Sequence, residues 1–336
     1  MPVKFLKTGH TPSNKTQKYL VQLSARAYYY GKGDKEVSVL KPIIDKISIT
    51  VPISDEDERT GYEQQIMSLS TDKEFPEFEP VSGKVLRYKY SMNWRHDKTS
   101  QAVLISAHPT SSEAVNFLRF EFNPDKLGAK GVQAFKDMLA DTFAHPNLTY
   151  ADVIKSASCT RLDVACDLIN ARTADLIATG QGTGKKIVYY SAKHDMETTY
   201  LDKPKTGSSK IRVYDKLQHQ TDMDDAPSFE GVTHARVEIE LGTKPLKTIK
   251  GKHNIFKRVH IIHPTEAPVG FEPWAWDLFL DSCRYRGVEA AIEGLPEDKR
   301  GQASEVLNKA ATDTWRPLNL WKSWPDTVDK YGLLEP

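Results

Sequence analysis

The stretch 158–167, SCTRLDVACD, alternates charged and apolar side chains in the way that a β-strand with two different faces requires. Successive side chains on a strand point to opposite faces of the sheet. The charged face carries Arg161, Asp163 and Asp167, and the apolar face carries Leu162, Val164 and Cys166. The pattern predicts a strand that lies on a hydrophobic core and directs two aspartates and an arginine away from it.

A second stretch, HARVEIEL (234–241), has the same two-faced pattern. Its charged face carries Arg236, Glu238 and Glu240. Asp163 and Asp167 are four residues apart on a strand, a separation of roughly 13 Å, so they cannot bind one metal ion together. Facing residues on neighbouring strands have Cβ atoms about 5 Å apart, so Asp163 and a glutamate of the second stretch can share an ion if the strands pair. The alternative is a solvent-facing surface of cross-strand ion pairs, which contribute little stability.

The order of predicted elements is repeated in two halves, each of which has a strand, a helix and then a run of strands. Each half also has a strand that reads Arg-x-Glu. In the first half we predict strands at 45–53, 85–94, 101–108 and 116–123, a helix that starts at Ser54 and reaches about 70, and a helix at 130–144. After a short helix at 150–156, we predict for the second half a strand from 158, a helix at 174–179 capped by Thr173, and strands at 185–192, 197–202, 210–216 and 234–241. This order predicts an α+β fold, a mostly antiparallel sheet with helices on one side, built by a suspected duplication.

Beyond residue 263 the sequence becomes helical in character. Pro273 suits a first helical turn, and Gly287 suits the end of that helix. We therefore divide the chain into an N-terminal extension (1–44), a first α+β half (45–156), a second α+β half with the functional site (157–250), and a basic linker with a helical C-terminal region (251–336).

The composition is that of an ordinary globular protein, with 336 residues, 39% hydrophobic residues and a net charge of +1. No apolar run is long enough for a membrane span, and the first residues have no apolar signal core. The cysteines Cys159, Cys166 and Cys283 form no CxxC pair, which argues against a disulfide framework or a zinc knuckle. We expect a protein of the cytoplasm that makes no membrane contact.

Two tyrosines in strand contexts, Tyr200 and Tyr214, have several cations close to them in sequence. Such surroundings suit phosphate, and tyrosine can attack phosphorus when cations and a divalent metal neutralise the charge that develops. A basic segment at 243–263 has five lysines, one arginine and three histidines without a carboxylate. It is either a solvated face or an electrostatic footprint for phosphate.

Four motifs in order resemble those of the trans-acting rolling-circle replication initiators of plasmids and filamentous-type phages. They are TRLDVACDL, TTYL, SSKIRVYDK and ARVEIEL. The resemblance covers about 160–241, a quarter of the chain, and extends weakly to FLRFEFNP (117–124). It implies an origin-specific DNA nickase and religase, in which a tyrosine attacks one phosphodiester, frees a 3′ hydroxyl and stays joined to the 5′ phosphate.

The resemblance also implies roles for particular residues. Tyr200 matches the nucleophile, with Tyr214 as the alternative. Asp163 and Glu238 would bind Mg²⁺ or Mn²⁺, with Asp167 and Glu240 in reserve. Arg161, Arg212 and Lys216 would hold phosphate or carboxylates. The expected DNA-binding residues are Arg161, Lys203, Lys205, Lys210, Lys250, Lys252, Lys257 and Arg258. The expected partner is origin DNA, partly single-stranded, while a host helicase and a homodimer are left open.

The chain departs from the family pattern at two points. It lacks the His-hydrophobic-His metal motif of many tyrosine nickases, because HIIH (260–263) has one residue too many, and this favours carboxylate ligands. Leu-Asp-Lys-Pro follows Tyr200 where Leu-Gly and a basic residue are expected, so Tyr214 stays an alternative. A mobilisation relaxase and a non-catalytic DNA-binding regulator remain alternative functions. The segment GQGTGKK (180–186) does not have the spacing of a phosphate loop, so no ATPase is predicted.

Overall fold

A computed structural model describes most of the chain. The described residues are 27–29, 37–81, 87–97, 101–111, 116–143, 148–180, 186–191, 196–201, 210–223, 228–229, 232–242, 244–263 and 266–336. Within them the fold is α+β: helices pack against a large antiparallel sheet, and further helices follow at the C-terminal end. This confirms the predicted fold class.

The strands and helices are numbered in chain order. The strands are β1 (Ala27–Tyr29), β2 (Ser38–Leu40), β3 (Ile43–Pro52), β4 (Phe78–Pro80), β5 (Tyr88–Trp94), β6 (Val103–Pro109), β7 (Phe117–Phe122), β8 (Ser158–Ile169), β9 (Ile177–Gly180), β10 (Lys186–Tyr190), β11 (Met196–Leu201), β12 (Lys210–Asp215), β13 (His234–Leu241), β14 (Lys244–Pro245) and β15 (Val259–Ile262). The helices are α1 (Glu56–Leu69), α2 (Pro124–Thr142), α3 (Tyr150–Ser156), α4 (Lys216–Asp222), α5 (Pro273–Arg286), α6 (Val288–Glu293), α7 (Glu297–Thr314), α8 (Pro317–Lys322) and α9 (Trp324–Lys330).

The sheet repeats one topology twice. Its strands lie in the order β10-β11-β12-β13-β8-β3-β7-β6-β5-β4. In each half the first strand pairs with the last strand of the run that follows, β3 with β7 and β8 with β13. The two first strands pair with each other, antiparallel, at the centre of the sheet. The repeated order of elements in the sequence therefore corresponds to a repeated strand order in space.

The central strand β8 has the two faces that its alternation predicts. Leu162, Val164 and Cys166 are buried in the main hydrophobic core, together with the apolar residues of β13 and β3. Helix α1 packs against β5 and β6, and α2 packs against β3. These two helices cover the apolar face. Because side chains alternate along a strand, Arg161 and Asp163 lie on the opposite face, where the charged residues of β13 also lie.

The C-terminal helices belong to two hydrophobic clusters. Trp276, Phe279 and Leu307 of α5 and α7 form a separate cluster with Ile177 and Ile262. Further along, Trp324 and Tyr331 are buried in the main core beneath the sheet. The end of the chain therefore helps to close the core of the sheet, while the predicted domain boundaries stay a prediction.

Three predicted helix limits differ from the structure. Helix α1 is capped by Asp55 rather than Ser54, because the Asp55 carboxylate accepts the Glu58 N–H. Helix α2 begins at Pro124, well before the predicted start at 130. It is interrupted at Gly128, whose φ of 70° glycine can adopt because it has no Cβ atom. The helix predicted at 174–179 is wrong: a short 3₁₀ turn at Thr173–Asp175 leads into strand β9. Strand β9 forms because it pairs with β15, about eighty residues later, which the local pattern does not reveal.

The structure also bears on the predictions about membrane spans and cysteines. No helix in the described ranges has both the length and the apolar character needed to cross a membrane. All three cysteines are buried and reduced. The segment 181–185, inside the dismissed phosphate-loop match, lies outside the described residues.

Candidate active site

Four adjacent strands bring the predicted site residues to one face of the sheet. In one row across the strands, Tyr200 on β11 lies opposite Arg212 on β12, and Arg212 lies opposite Glu238 on β13. In the next row, Lys210 lies opposite Glu240, and Glu240 lies opposite Asp163 on β8. Neighbouring strands are about 4.8 Å apart, so the backbone at Tyr200 lies about 10 Å from that at Glu238. The pairing that a shared metal site requires is therefore present.

Buried carboxylates lie beneath partly exposed cations in this face. The side chains of Asp163 and Glu238 are each 2% exposed. Arg161 donates to both oxygens of Asp163, with Nε–Oδ1 and Nη2–Oδ2 distances of 2.9 and 2.6 Å. Arg212 donates to Glu238, and Lys210 donates to Glu240 at 3.0 Å. The carboxylates fix the positions of the cations, whose outer surfaces remain open to an anion.

The surroundings of Asp163 disfavour its charged form. Burial and the negative charges of Glu238 and Glu240 raise the pKa of Asp163 to about 6, although Arg161 opposes the shift. Three carboxylates are thus crowded at the junction of β8 and β13. Such crowding favours the approach of a further cation.

A second charged cluster lies toward the other end of the same strands, and all of its members except the partly exposed Asp45 are buried. Arg236 donates to Asp167, with an Nε–Oδ1 distance of 2.6 Å, and to Asp45 at 2.7 Å. His234 Nε2 lies 2.8 Å from Asp167 Oδ1. Burial alone would raise the pKa of Asp167, but Arg236 and His234 hold it well below its usual range. The sequence predicts Asp167 as a reserve metal ligand. In the structure it is buried and accepts hydrogen bonds from Arg236.

The two candidate tyrosines have different surroundings. Tyr214 is 5% exposed, and its hydroxyl donates to Glu238 at 3.0 Å. Burial raises the pKa of Tyr214 well above its usual value, which disfavours the phenolate. Tyr200 is half-buried, and its ring lies next to that of Tyr189, at 5.7 Å between centroids. Of the two, Tyr200 is the more accessible to a substrate.

An open pocket of about 150 Å³ joins these side chains and includes one residue that the sequence reasoning missed. Tyr200, Arg212, Tyr214 and His219 all line it. Burial, together with the positive charges of Lys216 and Arg212, lowers the pKa of His219, so its imidazole is neutral at neutral pH. The sequence feature that could have identified His219 is its position in α4, the helix that directly follows the strand of Tyr214. Lys216 itself is buried over the Tyr214 ring, 5.8 Å from its centroid.

The donor set suits a hard divalent cation in its chemistry. Mg²⁺ and Mn²⁺ prefer carboxylate oxygens, and Asp163, Glu238 and Glu240 supply them from two adjacent strands. Within the described residues, no group of three or more His, Cys, Asp or Glu side chains is already arranged as a metal site. The carboxylates point instead to Arg161, Arg212 and Lys210. The residues fit the ion by type, and binding it would require these carboxylates to turn away from their cations.

The first half of the sheet offers an internal comparison. It keeps the Arg-x-Glu pair as Arg119 and Glu121, in the register of Arg236 and Glu238. The other site positions differ, because Leu104 lies opposite Glu121 where Arg212 lies opposite Glu238. The same comparison matches Ser106 with Tyr214 and Asn93 with Tyr200. Two residues before Ser48 and Ala165, the partners of Glu121 and Glu238, lie Lys46 in the first half and Asp163 in the second. At these positions, among the residues that the structure describes, only the second half combines tyrosine, arginine and aspartate with the shared pair, while in the first half Arg119 donates to the Tyr88 hydroxyl at 2.7 Å.

The predicted DNA-binding residues are not equivalent in the structure. Lys250 pairs with Asp329 at 2.6 Å, which neutralises much of its charge. Burial and the nearby cations Lys244 and Arg258 lower the pKa of Lys252 to about 8. Lys257 is exposed. Lys203 and Lys205 lie outside the described residues.

No family model matches this chain, and no curated protein matches it.

Proposed function

We propose that this protein is a rolling-circle DNA replication initiator, a metal-dependent endonuclease and strand transferase that nicks and rejoins one DNA strand through a tyrosine. One observation carries the proposal. Tyr200, Arg212 and Glu238 form one row across three strands, beside the crowded carboxylates of Asp163 and Glu240. The absence of this combination from the described positions of the other half supports a functional origin for it.

In the proposed reaction the Tyr200 oxygen forms a bond to the phosphorus of one phosphodiester, and the bond between that phosphorus and the 3′ oxygen breaks. The phenolic proton passes to His219, and the leaving 3′ oxygen takes up one proton from solvent water to become a hydroxyl. The 5′ phosphate remains joined to Tyr200 until the reverse reaction rejoins the strand. Arg212 and Lys210 stabilise the negative charge that develops on the phosphate oxygens.

Tyr214 has a positioning role in this scheme. Its hydroxyl holds Glu238, and its ring lies below the guanidinium of Arg212 at 5.1 Å. Asp163 and Glu238, with Glu240, would hold Mg²⁺ or Mn²⁺, which supplies further neutralisation of phosphate charge when bound. Asp167 is not part of this set, because Arg236 engages both of its oxygens.

The proposed substrate is origin DNA that is partly single-stranded, in the cytoplasm of the host cell. Lys252, Lys257 and Arg258 of the basic segment are proposed to contact its backbone, whereas the paired Lys250 contributes less. A host helicase and a second copy of the chain remain predicted partners. The non-catalytic regulator predicts binding without a covalent product.

The test is a covalent-adduct assay. Single-stranded oligonucleotides that tile the coding sequence and its flanking DNA are incubated with the protein and Mn²⁺, then separated on a denaturing gel. We expect one region to yield a protein band of increased mass that disappears with EDTA, and mass spectrometry to locate the link at Tyr200. Binding without any adduct over the complete tiling would contradict the enzyme and favour the regulator.

A further inference from the structure

The outermost described strand of the second half, β10, exposes large apolar side chains. Ile187 is 39% exposed and Tyr189 is 57% exposed. Exposed edge strands are usually protected by charged side chains or proline, because apolar edges invite unwanted pairing. An exposed aromatic side chain next to a charged site is therefore a candidate contact for a ligand.

The register places these side chains on the face of the candidate site. Ile187 lies opposite Tyr200, and Tyr189 lies opposite Thr198. The rings of Tyr189 and Tyr200 meet edge to face, at 72°. Since Tyr200 lies opposite Arg212, an aromatic surface borders the partly exposed guanidinium on this face.

The next residue on the same strand points the other way. Tyr190 stacks on Tyr285 of α5, with ring centroids 6.2 Å apart and planes 13° from parallel. Its role is thus explained by packing of the edge strand against the C-terminal helices. The Tyr189 ring contacts that of Tyr200 and is 57% exposed.

We propose that Tyr189, with Ile187 beside it, is a stacking platform for one unpaired base of the DNA strand whose phosphate lies at Arg212. An aromatic ring beside a cation matches the two parts of a nucleotide, a base with a π-face and a phosphate with negative charge. A base in a duplex has both faces covered by its neighbours, so the platform selects an unpaired one. The inference rests on the proposed function for its location, but base stacking itself requires neither metal nor cleavage.

The experiment measures binding in EDTA, without cleavage. A fluorescein-labelled oligothymidylate of about twelve nucleotides is titrated with the wild type, Tyr189→Ala, Tyr189→Trp and the matched control Tyr190→Ala. We expect Tyr189→Ala to weaken binding about 5- to 100-fold, the range that stacking of one base supports. Tyr189→Trp should restore binding, and Tyr190→Ala should change it less than about twofold on the same scale.

A second oligonucleotide with abasic central residues separates base contact from backbone contact. On it the wild type and Tyr189→Ala should bind equally, because no base remains to stack. Equal affinity of the two proteins for oligothymidylate, an equal loss on both oligonucleotides, or a wild type that does not bind oligothymidylate would each overturn the platform. Thermal melting checks that the variants fold. An absent Tyr200 adduct with Mn²⁺ would count against the nickase, whereas a base-dependent Tyr189 effect would still establish the platform.

Discussion

Arg236 and Asp167 face each other across β13 and β8 and are both buried, with an Nε–Oδ1 distance of 2.6 Å. Asp45 on β3 completes this arrangement from a third strand, so that one guanidinium serves two carboxylates. The pair therefore connects the two halves of the sheet at their junction. It is buried beside the candidate site.

Loss of Arg236 should destabilise the protein strongly. Arg236→Ala leaves the buried carboxylate of Asp167 and the partly exposed carboxylate of Asp45 without this partner, and breaking a buried ion pair in this way costs about 3–5 kcal/mol. Urea denaturation followed by circular dichroism measures the change. The control is Lys250→Ala, which removes an exposed pair with Asp329 and should cost at most about 0.5 kcal/mol. Similar losses for the two variants would show that the buried cluster is not the stabilising element.

Substitution of Tyr200 and of Tyr214 should have different effects in the covalent-adduct assay. Tyr200→Phe removes the proposed nucleophile and should abolish the adduct while leaving DNA binding in EDTA intact. Tyr214→Phe removes one hydrogen bond to Glu238, so the adduct should persist and form more slowly. Rates from quenched time courses provide the comparison. An adduct that survives Tyr200→Phe and disappears with Tyr214→Phe would transfer the nucleophile role to Tyr214.

Metal binding should depend on the second half of the sheet alone. Asp163→Asn and Glu238→Gln should each weaken Mn²⁺ binding by about 10-fold or more, since even the loss of an outer partner of a metal ligand costs that much. Isothermal titration calorimetry with MnCl₂ is the measurement. Glu121→Gln is the matched control, because Glu121 occupies the register of Glu238 in the first half. Undiminished binding by both site variants would place the ion elsewhere.

Glu121 should make stability depend on pH in the acid range. Burial would raise its pKa, but hydrogen bonds from Lys46 and Ser48 lower it to about 2. A carboxyl with a lowered folded-state pKa stabilises the fold above its unfolded pKa of roughly 4.5, and this stability is lost as pH falls toward 2. The partly exposed Lys46 reduces the effect by solvent screening, to roughly 2 kcal/mol. Glu121→Gln should therefore flatten the dependence of unfolding free energy on pH between about 5 and 2, and an unchanged slope would assign it to other groups.

Much of the fold was predictable because its signals are local. The strand HARVEIEL coincides with β13, and the helix predicted at 150–156 coincides with α3. The prediction at 174–179 failed because β9 forms through its pairing with β15. A short segment satisfies its backbone hydrogen bonds through whatever partner the fold brings to it, and that partner is not visible in the segment.

The sequence predicted most residues of the candidate site, but only some of the contacts between them. Asp163, Glu238 and Glu240 were chosen by their alternation, and the observed pairing of β8 with β13 brings them together. His219 was missed because its contribution depends on α4 folding back over the Tyr214 ring, 5.5 Å between centroids. Tyr189 was missed because exposure on an edge strand appears only when the strand order is known.

The sequence by itself determined which side chains share a face of each strand and the repeated order of elements, since both follow from the period of two along an extended chain. The stretch SCTRLDVACD thus identified the charged face of the central strand. Only the tertiary structure decided that Asp163 joins the carboxylates of the site while Asp167 joins Arg236, sixty-nine residues away. The physical reason is register: charges are paired by strands that meet in space, and burial then sets which of them are locked together and which remain open to a ligand.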